Sequence, residues 1–569
     1  MKVLGINTFF EHPSVALVCD GELAFALEDE RLTRIKHGKR YTPYRTYVPF
    51  DSICAALRFQ GLRAVDLDEV ACSYNRWRHL ASLWGCFFRR RLSSFQEERT
   101  AFRSVSNTRR ALIGGHEIPH AFRNVLAAGD FAQVAYREWD HHLAHAASAF
   151  FCSGFKEALV VVVDGSGENA CTSIYVGRGH KLKRILQIPL PHSLGFFYTF
   201  ITRHLGFEPF SDEYKVMGLA AYGEPRFAKA MAEIIKLESH GRYRLDLGRL
   251  QHLADILGPA RGTDEPLNQA YKDIAKSAQS ILENALEHVI SHHLAATGLR
   301  RLCLAGGTFL NCVANQRLAR LSPVSDLFVQ PASHDAGTAI GAAALSSIAR
   351  GGNPQLRYGS MFLGTSWSTA QTEGVLRQAG AHYVRLAEAE SISRLADLLA
   401  KDRVVALFRG RMEFGPRALG NRSILASPCS ARTREKLNDI KGREQFRPLA
   451  PIVTADAFGD FFEGVPSRYM MLTATVREQA RKRVPAVVHA DGTARVQVIR
   501  PEEDLFLYRL LQTFEERVGV PVLINTSLNV RGKPIDESPH DALVSFYSAG
   551  LDAMLLNGFL VERESSWKD

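Results

Sequence analysis

The sequence predicts an α/β protein in two parts: an amino-terminal region built by duplication and a carboxyl-terminal α/β region of different character. Three observations predict it. Apolar runs at 2–7, 14–19 and 22–27, joined by short turns, read as strands, and runs at 158–163, 171–177 and 181–189 repeat the pattern. Residues 158–163 are apolar without alternation, as in a strand covered on both faces. The chain has 569 residues, too many for one core, so two or three domains are expected.

The repeated three-strand pattern followed by helices is the layout of the actin/hexokinase-like fold, whose lobes close over a nucleotide or an activated group. Taken in order, the loop after the first strand carries Glu11, His12 and Pro13, and the third strand runs into Glu28-Asp29-Glu30-Arg31-Leu32-Thr33-Arg34-Ile35-Lys36. His141-His142-Leu143-Ala144-His145-Ala146, followed by small residues, predicts a helix with His141 and His145 one turn apart on one face. Two imidazoles so spaced can grip one metal ion. The strand 158–163 ends in Asp164-Gly165-Ser166-Gly167-Glu168, and a carboxylate at the carboxyl end of a buried strand is where α/β proteins place ligand chemistry. Asp335, after the strand-like 326–330, is a second such carboxylate. A histidine pair on a helix is by itself more often a hydrogen-bonded core pair, and Asp before Gly is usually a turn. The four together, each at the end of an element, point to a mixed nitrogen/oxygen site suited to iron, manganese or zinc rather than calcium.

Residues 210–223 mix charges, Asp212 among them, with glycines, and read as a site loop leading into a helix. Residues 302–311 read strand, glycine turn, helix; Gly306 and Gly307 let the backbone approach a ligand, although a plain connection fits as well. A helix is expected over 336–348, then Arg350-Gly351-Gly352-Asn353-Pro354 breaks the pattern. The linker is placed from there to about residue 366, dividing the chain into 1–355 and 366–569. Beyond a buried strand at 403–408, cations sit among Gly, Pro and apolar residues: Arg417, Lys441, Arg443, Arg447 and Arg495. Cations so placed are hard to solvate and suit phosphate or carboxylate oxygens, with structural ion pairs as the alternative.

Composition is that of a globular protein, and no apolar run reaches the length of a membrane span. The amino end enters a strand at once, which predicts no signal peptide. Nine cysteines without a Cys-x-x-Cys pair fit a reducing cytoplasm. The net charge of +10 favours anionic ligands. The densest basic run, Arg89-Arg90-Arg91 through Arg110, reads as a solvated helix face or as an acceptor surface.

Together these motifs resemble the O-carbamoyltransferases of antibiotic and nodulation-factor biosynthesis. The resemblance rests on His-His-x-x-His-Ala at 141–146, Asp-Gly-x-Gly-Glu at 164–168, Asp-Glu-Tyr-Lys-Val-Met-Gly-Leu-Ala at 212–220 and Pro-Ala-Ser-His-Asp-Ala-Gly at 331–337. Phe-Gly-Pro-Arg-Ala-Leu-Gly at 414–420, Phe-Arg-Pro at 446–448 and Asn-Thr-Ser at 525–527 complete it, in family order. It implies an actin/hexokinase-like (ASKHA) transfer domain and a threonylcarbamoyl-AMP synthase-like carboxyl domain. The latter would make carbamoyl-adenylate from carbamoyl phosphate and ATP with Mg2+, and the former would pass the carbamoyl group to a small-molecule hydroxyl. By the resemblance, His141, His145, Asp164 and Asp335 hold a divalent metal, usually Fe2+. His12 lies near the carbamoyl group, as general base or as a structural hydrogen-bonding residue, with Lys36 and Asp212 lining the same cleft. Gly306, Gly307 and Asn311 face the nucleotide there. Arg417, Lys441, Arg447, Arg495 and Ser527 bind carbamoyl phosphate and the adenylate, with the chain one residue shorter before Lys441.

Two departures stand out: Leu143 replaces a common Glu, which takes away a partner behind the metal, and Phe309 is bulkier than usual beside the nucleotide cleft. Residues 85–125 match nothing in the family pattern and are the expected wall of the acceptor pocket. The basic run disfavours a polycationic acceptor. Other readings are a tRNA threonylcarbamoyladenosine-type modification protein, which the fused domain order and the lack of an RNA-binding module oppose, and a sugar-kinase-like ATPase, which leaves the carboxyl arginines without a role. No membrane partner is expected, and a homodimer is left open.

Overall fold

The computed structural model describes residues 1–8, 10–38, 48–79, 130–353, 356 and 359–563. The basic run 89–110, and with it the expected acceptor wall 85–125, lies outside the described residues. Strand β1 (Lys2–Asn7) pairs antiparallel with β2 (Ser14–Cys19), and β2 with β3 (Glu22–Glu28). On the other side of β1, β4 (Glu69–Cys72) and then β5 (Ala135–Glu138) add in parallel, giving the order β3-β2-β1-β4-β5. The second lobe repeats this strand for strand. Its meander is β6 (Glu157–Val163), β7 (Ala170–Arg178) and β8 (Lys181–Pro189); after a hairpin of β9 (Ile235–Glu238) and β10 (Arg242–Leu245), β11 (Arg301–Ala305) and β12 (Asp326–Val329) add in parallel. The order β12-β11-β6-β7-β8 mirrors the first sheet, so the duplication read from the spacing is present in the topology.

The unbroken apolar run of β6 has a physical cause. Leu159, Val161 and Val163 enter a core with the helix Gln269–Thr297, while Ala158, Val160 and Val162 enter another with Ala146, Phe150 and Ala339. Alternate side chains thus meet different layers, and neither face can be polar. The layer between the two sheets contains the helices His141–Ser153 and Thr338–Ala349. Their small residues bring backbone against backbone. A Cβ on Gly341 would lie 1.8 Å from the Ala144 carbonyl oxygen, and one on Gly5 of β1 would lie 1.9 Å from that of Ala339. Gly341→Ala must therefore drive these helices apart. The expected cost is that of severe overpacking, about 3 kcal/mol, read as a lower unfolding midpoint together with weaker metal binding at His141 and His145.

The carboxyl-terminal part is a mixed sheet of eight strands. In chain order come β13 (Val384–Arg385), β14 (Val405–Phe408), β15 (Arg422–Ala426) and β16 (Ala450–Thr454). A small sheet of β17 (Phe462–Glu463), β18 (Ala474–Val476) and β19 (Thr493–Ala494) follows, then β20 (Gln497–Ile499), β21 (Val522–Ser527), β22 (Ala553–Leu556) and β23 (Phe559–Glu562). The same alternation holds in β14: Ala406 and Phe408 serve one core, Val405 and Leu407 another. Arg34 of the first lobe grips this part, donating to the carbonyls of Pro534 and Ile535 and to Asp536 at 2.7 Å. No helix among the described residues is long and apolar enough to cross a membrane.

Candidate active site

The helix His141–Ser153 starts with Asp140, whose side chain accepts the Leu143 amide, and ends at Gly154 in the left-handed conformation. Glu168 accepts from the His141 amide at 3.0 Å, satisfying a free N–H of the first turn. This fixes the first turn, so that His141 and His145 project together. Their Nε2 atoms are 3.2 Å apart. Asp164 follows β6, and Asp335 opens the short turn before the helix Thr338–Ala349. Asp335 Oδ1 lies 3.5 Å from each Nε2, and Asp164 Oδ2 lies 3.6 Å from that of His141 and 3.9 Å from that of His145. All four residues are buried.

Three of the four groups, His141, Asp164 and Asp335, are held from behind. His141 Nδ1 lies 3.2 Å from the Ser73 carbonyl, which fixes the tautomer that leaves the Nε2 lone pair free. Asp164 Oδ1 accepts from the Gly307 amide at 2.8 Å, and Asp335 Oδ2 from that of Glu11 at 2.9 Å. One oxygen of each carboxylate is thus engaged and the other faces the histidines. Burial pulls His141 down, but Asp164 and Asp335 outweigh it and raise its pKa to about 10. The centre demands a positive charge. Donors bound to one ion at about 2.1 Å stand roughly 3–4 Å apart, which is the spacing found, so a divalent cation fits these four residues.

His12 stands above this centre with φ of +53°, its backbone oxygen taken by Asn7. Burial first, then His334 and His37, hold it well below the usual histidine range, so it is a neutral imidazole. The His37 ring is 4.9 Å from it, and His37 Nε2 lies 3.1 Å from Ser211 Oγ. From there a polar line continues. Asp212 pairs with Lys215 at 2.9 Å, Lys215 with Glu444 at 2.9 Å, and Glu444 with Arg447 at 3.8 Å. Lys36 lies near Asp212 and Arg447.

The line ends at a cluster of cations. Arg417 faces Arg495 and Arg447, and Arg443 faces Arg447 and Arg495. Burial, then these like charges, pulls Arg417 and Arg443 down to about 9. Guanidinium groups nonetheless stay charged, so the shift expresses an unmet demand for an anion. Nε of Arg417 and Nε of Arg495 are buried without a partner among the described residues. Arg447 lies over the Tyr214 ring at 4.7 Å. Beside the cluster is a solvent-open cavity, walled by Met217, Tyr222 and Cys312 from one half and by Phe446, His489 and Arg495 from the other.

Other expected residues have different partners. Lys441 donates to the Ser527 and Asn529 carbonyls at 2.7 Å each and to Asn529 Oδ1 at 2.6 Å, so all three ammonium donors are engaged by protein. Ser527 Oγ donates to the same Oδ1 at 2.7 Å. Lys441 lies beside Arg443 and Arg447, and Arg443 joins the arginines. The Gly307 amide is taken by Asp164, and Asn311 caps the helix Cys312–Ala319 while exchanging hydrogen bonds with Gln279. Gly306 has φ of +101°, and a Cβ there would meet the Val163 oxygen at 2.2 Å, so it is a packing glycine. Phe309 is fully buried in the core. In the described geometry these three therefore have structural work rather than a free face for a nucleotide.

Sequence reading missed Glu413. Its buried Oε1 accepts from the amides of Leu419, Asn421 and Arg422 at 2.8–3.0 Å. This pins the loop that presents Arg417. Glu413→Ala leaves three buried N–H groups unpaired, at about 1 kcal/mol or more each. The expected result is a marked drop in the unfolding midpoint, which Glu413→Gln partly restores.

Nodulation protein NolNO of Sinorhizobium fredii is 35% identical over 577 residues, covering 98% of this chain and 80% of that protein. An uncharacterized Synechocystis protein is 34% identical over 628 residues, covering 100% of this chain and 99% of the relative. The solved full-length HypF, in its phosphate- and nucleotide-bound form, aligns at 14% identity and a TM-score of 0.36, covering 62% of this chain and 47% of that one. The family models described as carbamoyltransferase N-terminus and carbamoyltransferase C-terminus match residues 2–344 and 396–563 respectively, and the chain belongs to the carbamoyltransferase family.

Proposed function

We propose that the chain is an ATP-dependent O-carbamoyltransferase with two sites, an adenylating one in 366–569 and a transferring one in 1–355. The observation that carries this reading is the cluster of half-buried arginines, with Nε of Arg417 and of Arg495 buried and unpartnered among the described residues, set against a cavity whose walls come from both halves. Arg417, Arg443, Arg447 and Arg495 neutralise carbamoyl phosphate and ATP, which arrives with Mg2+. Phosphate leaves carbamoyl phosphate with the uptake of water. A carbamate oxygen then attacks the α-phosphorus of ATP and expels pyrophosphate. The carbamoyl-adenylate so formed then moves to the transfer site at His12.

In the transfer site, His141, His145, Asp164 and Asp335 would hold the divalent metal, Fe2+ by the family resemblance. When bound it supplies Lewis-acid stabilisation of charge on phosphate oxygens. The neutral imidazole of His12 takes the proton as an acceptor hydroxyl attacks the carbamoyl carbon and its C–O bond to AMP breaks. Lys36 and Asp212 flank the path. The acceptor is a small natural-product hydroxyl, neutral or acidic rather than polycationic.

The test is mass spectrometry of reactions containing carbamoyl phosphate, ATP and ferrous iron, with hydroxyl acceptors from several natural-product classes. An acceptor that gains one carbamoyl group, with AMP and pyrophosphate formed in step, is expected. Formation of ADP, or no pyrophosphate at all, would sink the proposal in favour of a kinase.

A further inference from the structure

Four buried polar atoms without a partner among the described residues belong to three neighbouring residues: His12 Nδ1, Glu28 Oε1, and Nδ1 and Nε2 of His334. Buried polar groups are nearly always satisfied, and orphans gathered in one place call for a bound species. Glu28 is 2% exposed and His334 5%. Arg31 Nη2 holds the other oxygen of Glu28 at 3.2 Å, which leaves Oε1 free. His334 Nε2 stands 3.8 Å from that oxygen, too far for a hydrogen bond. The rings of His12 and His334 are 4.3 Å apart. One ligand atom from each of the three residues lies within 4.8 Å of the others. An overlapping grouping of His12 with Glu30 and His37 is already engaged. Glu30 accepts from Arg31 at 2.7 Å and from the His37 amide at 2.5 Å, and His37 Nε2 is on Ser211.

We propose that His12, Glu28 and His334 form a second divalent-cation site, separate from the one at His141, His145, Asp164 and Asp335. Two histidines and one carboxylate are the donor set that zinc and ferrous iron take, with coordination positions left over. The sequence neighbours His334 and Asp335 then serve two different ions. Filling the new site takes a ring nitrogen of His12. On the reading of His12 as base given above, on which this consequence rests, the second ion stops transfer while the first supports it.

The test is a calorimetric titration of chelator-treated full-length protein with Zn2+, with bound zinc counted by elemental analysis after desalting. The wild type is expected to take up two equivalents. His334→Ala and His334→Gln are each expected to take up one, with thermal melts showing that both are folded. A single equivalent in the wild type, as when a water fills the cluster, overturns the proposal; so do two equivalents in either variant. In parallel, transfer activity should rise with the first equivalent and fall with the second. Stoichiometries of two and one with transfer undiminished by the second ion leave the site standing and overturn the base role of His12.

Discussion

Arg495→Ala is expected to reduce carbamoyl-phosphate-dependent release of pyrophosphate by about a hundred- to a thousandfold, the loss that follows removal of one preorganised charged donor. The side chain is half-buried, faces Arg417, Arg443 and Arg447, and has a buried Nε with no partner among the described residues. No carboxylate pairs with it among the described residues. Two measurements separate a substrate-binding arginine from a structural one. First, taking one cation out of a like-charged half-buried cluster relieves repulsion, so the unfolding midpoint without ligand should hold or rise. A structural ion pair would show the opposite, because its partner would be left as an unpaired buried charge. Second, Arg495→Lys should not restore the rate, since an ammonium lacks the planar fork that meets two oxygens at once. A strongly destabilised Arg495→Ala that keeps pyrophosphate release would remove the arginine cluster from the chemistry.

His145→Ala is expected to fail at the other step. Pyrophosphate release should persist, while carbamoyl transfer falls by about a thousandfold, the equivalent of several kcal/mol of lost charge stabilisation. His145 is buried with Nε2 at 3.5 Å from Asp335. Its loss leaves His141 facing two carboxylates alone. Metal analysis should show lower occupancy, and chelation of the wild type should reproduce the defect. If His145→Ala and Arg495→Ala lose pyrophosphate release equally, the division into two sites is wrong.

The sequence carried the meanders of both lobes because β1 and β6 divide their side chains between two cores and so tolerate no polar residue. It carried the four residues around His141 because each stands at the end of an element, where a short polar group next to a turn is conspicuous. The parallel strands β4 and β5 were not legible: each has four residues and owes its place to a partner far along the chain. The partners of Lys441 and the part played by Glu413 were hidden for the same reason. Both side chains act on backbone groups that only the folded loops bring near. Arg443 was legible as an embedded cation, but only its neighbours place it against Arg447 and Arg495.

The cavity between the halves has a thermodynamic consequence. Because Cys312 and Tyr222 close it from one side and Phe446 and Arg495 from the other, neither half holds the whole of a ligand's binding energy. A molecule seated there acts as mortar, and its affinity contains the work of keeping the halves together. By linkage, occupancy must stabilise both halves at once. Two melting transitions that lie apart without ligand should therefore draw together as the cavity fills, and any substitution that loosens the seam should weaken binding without touching the ligand.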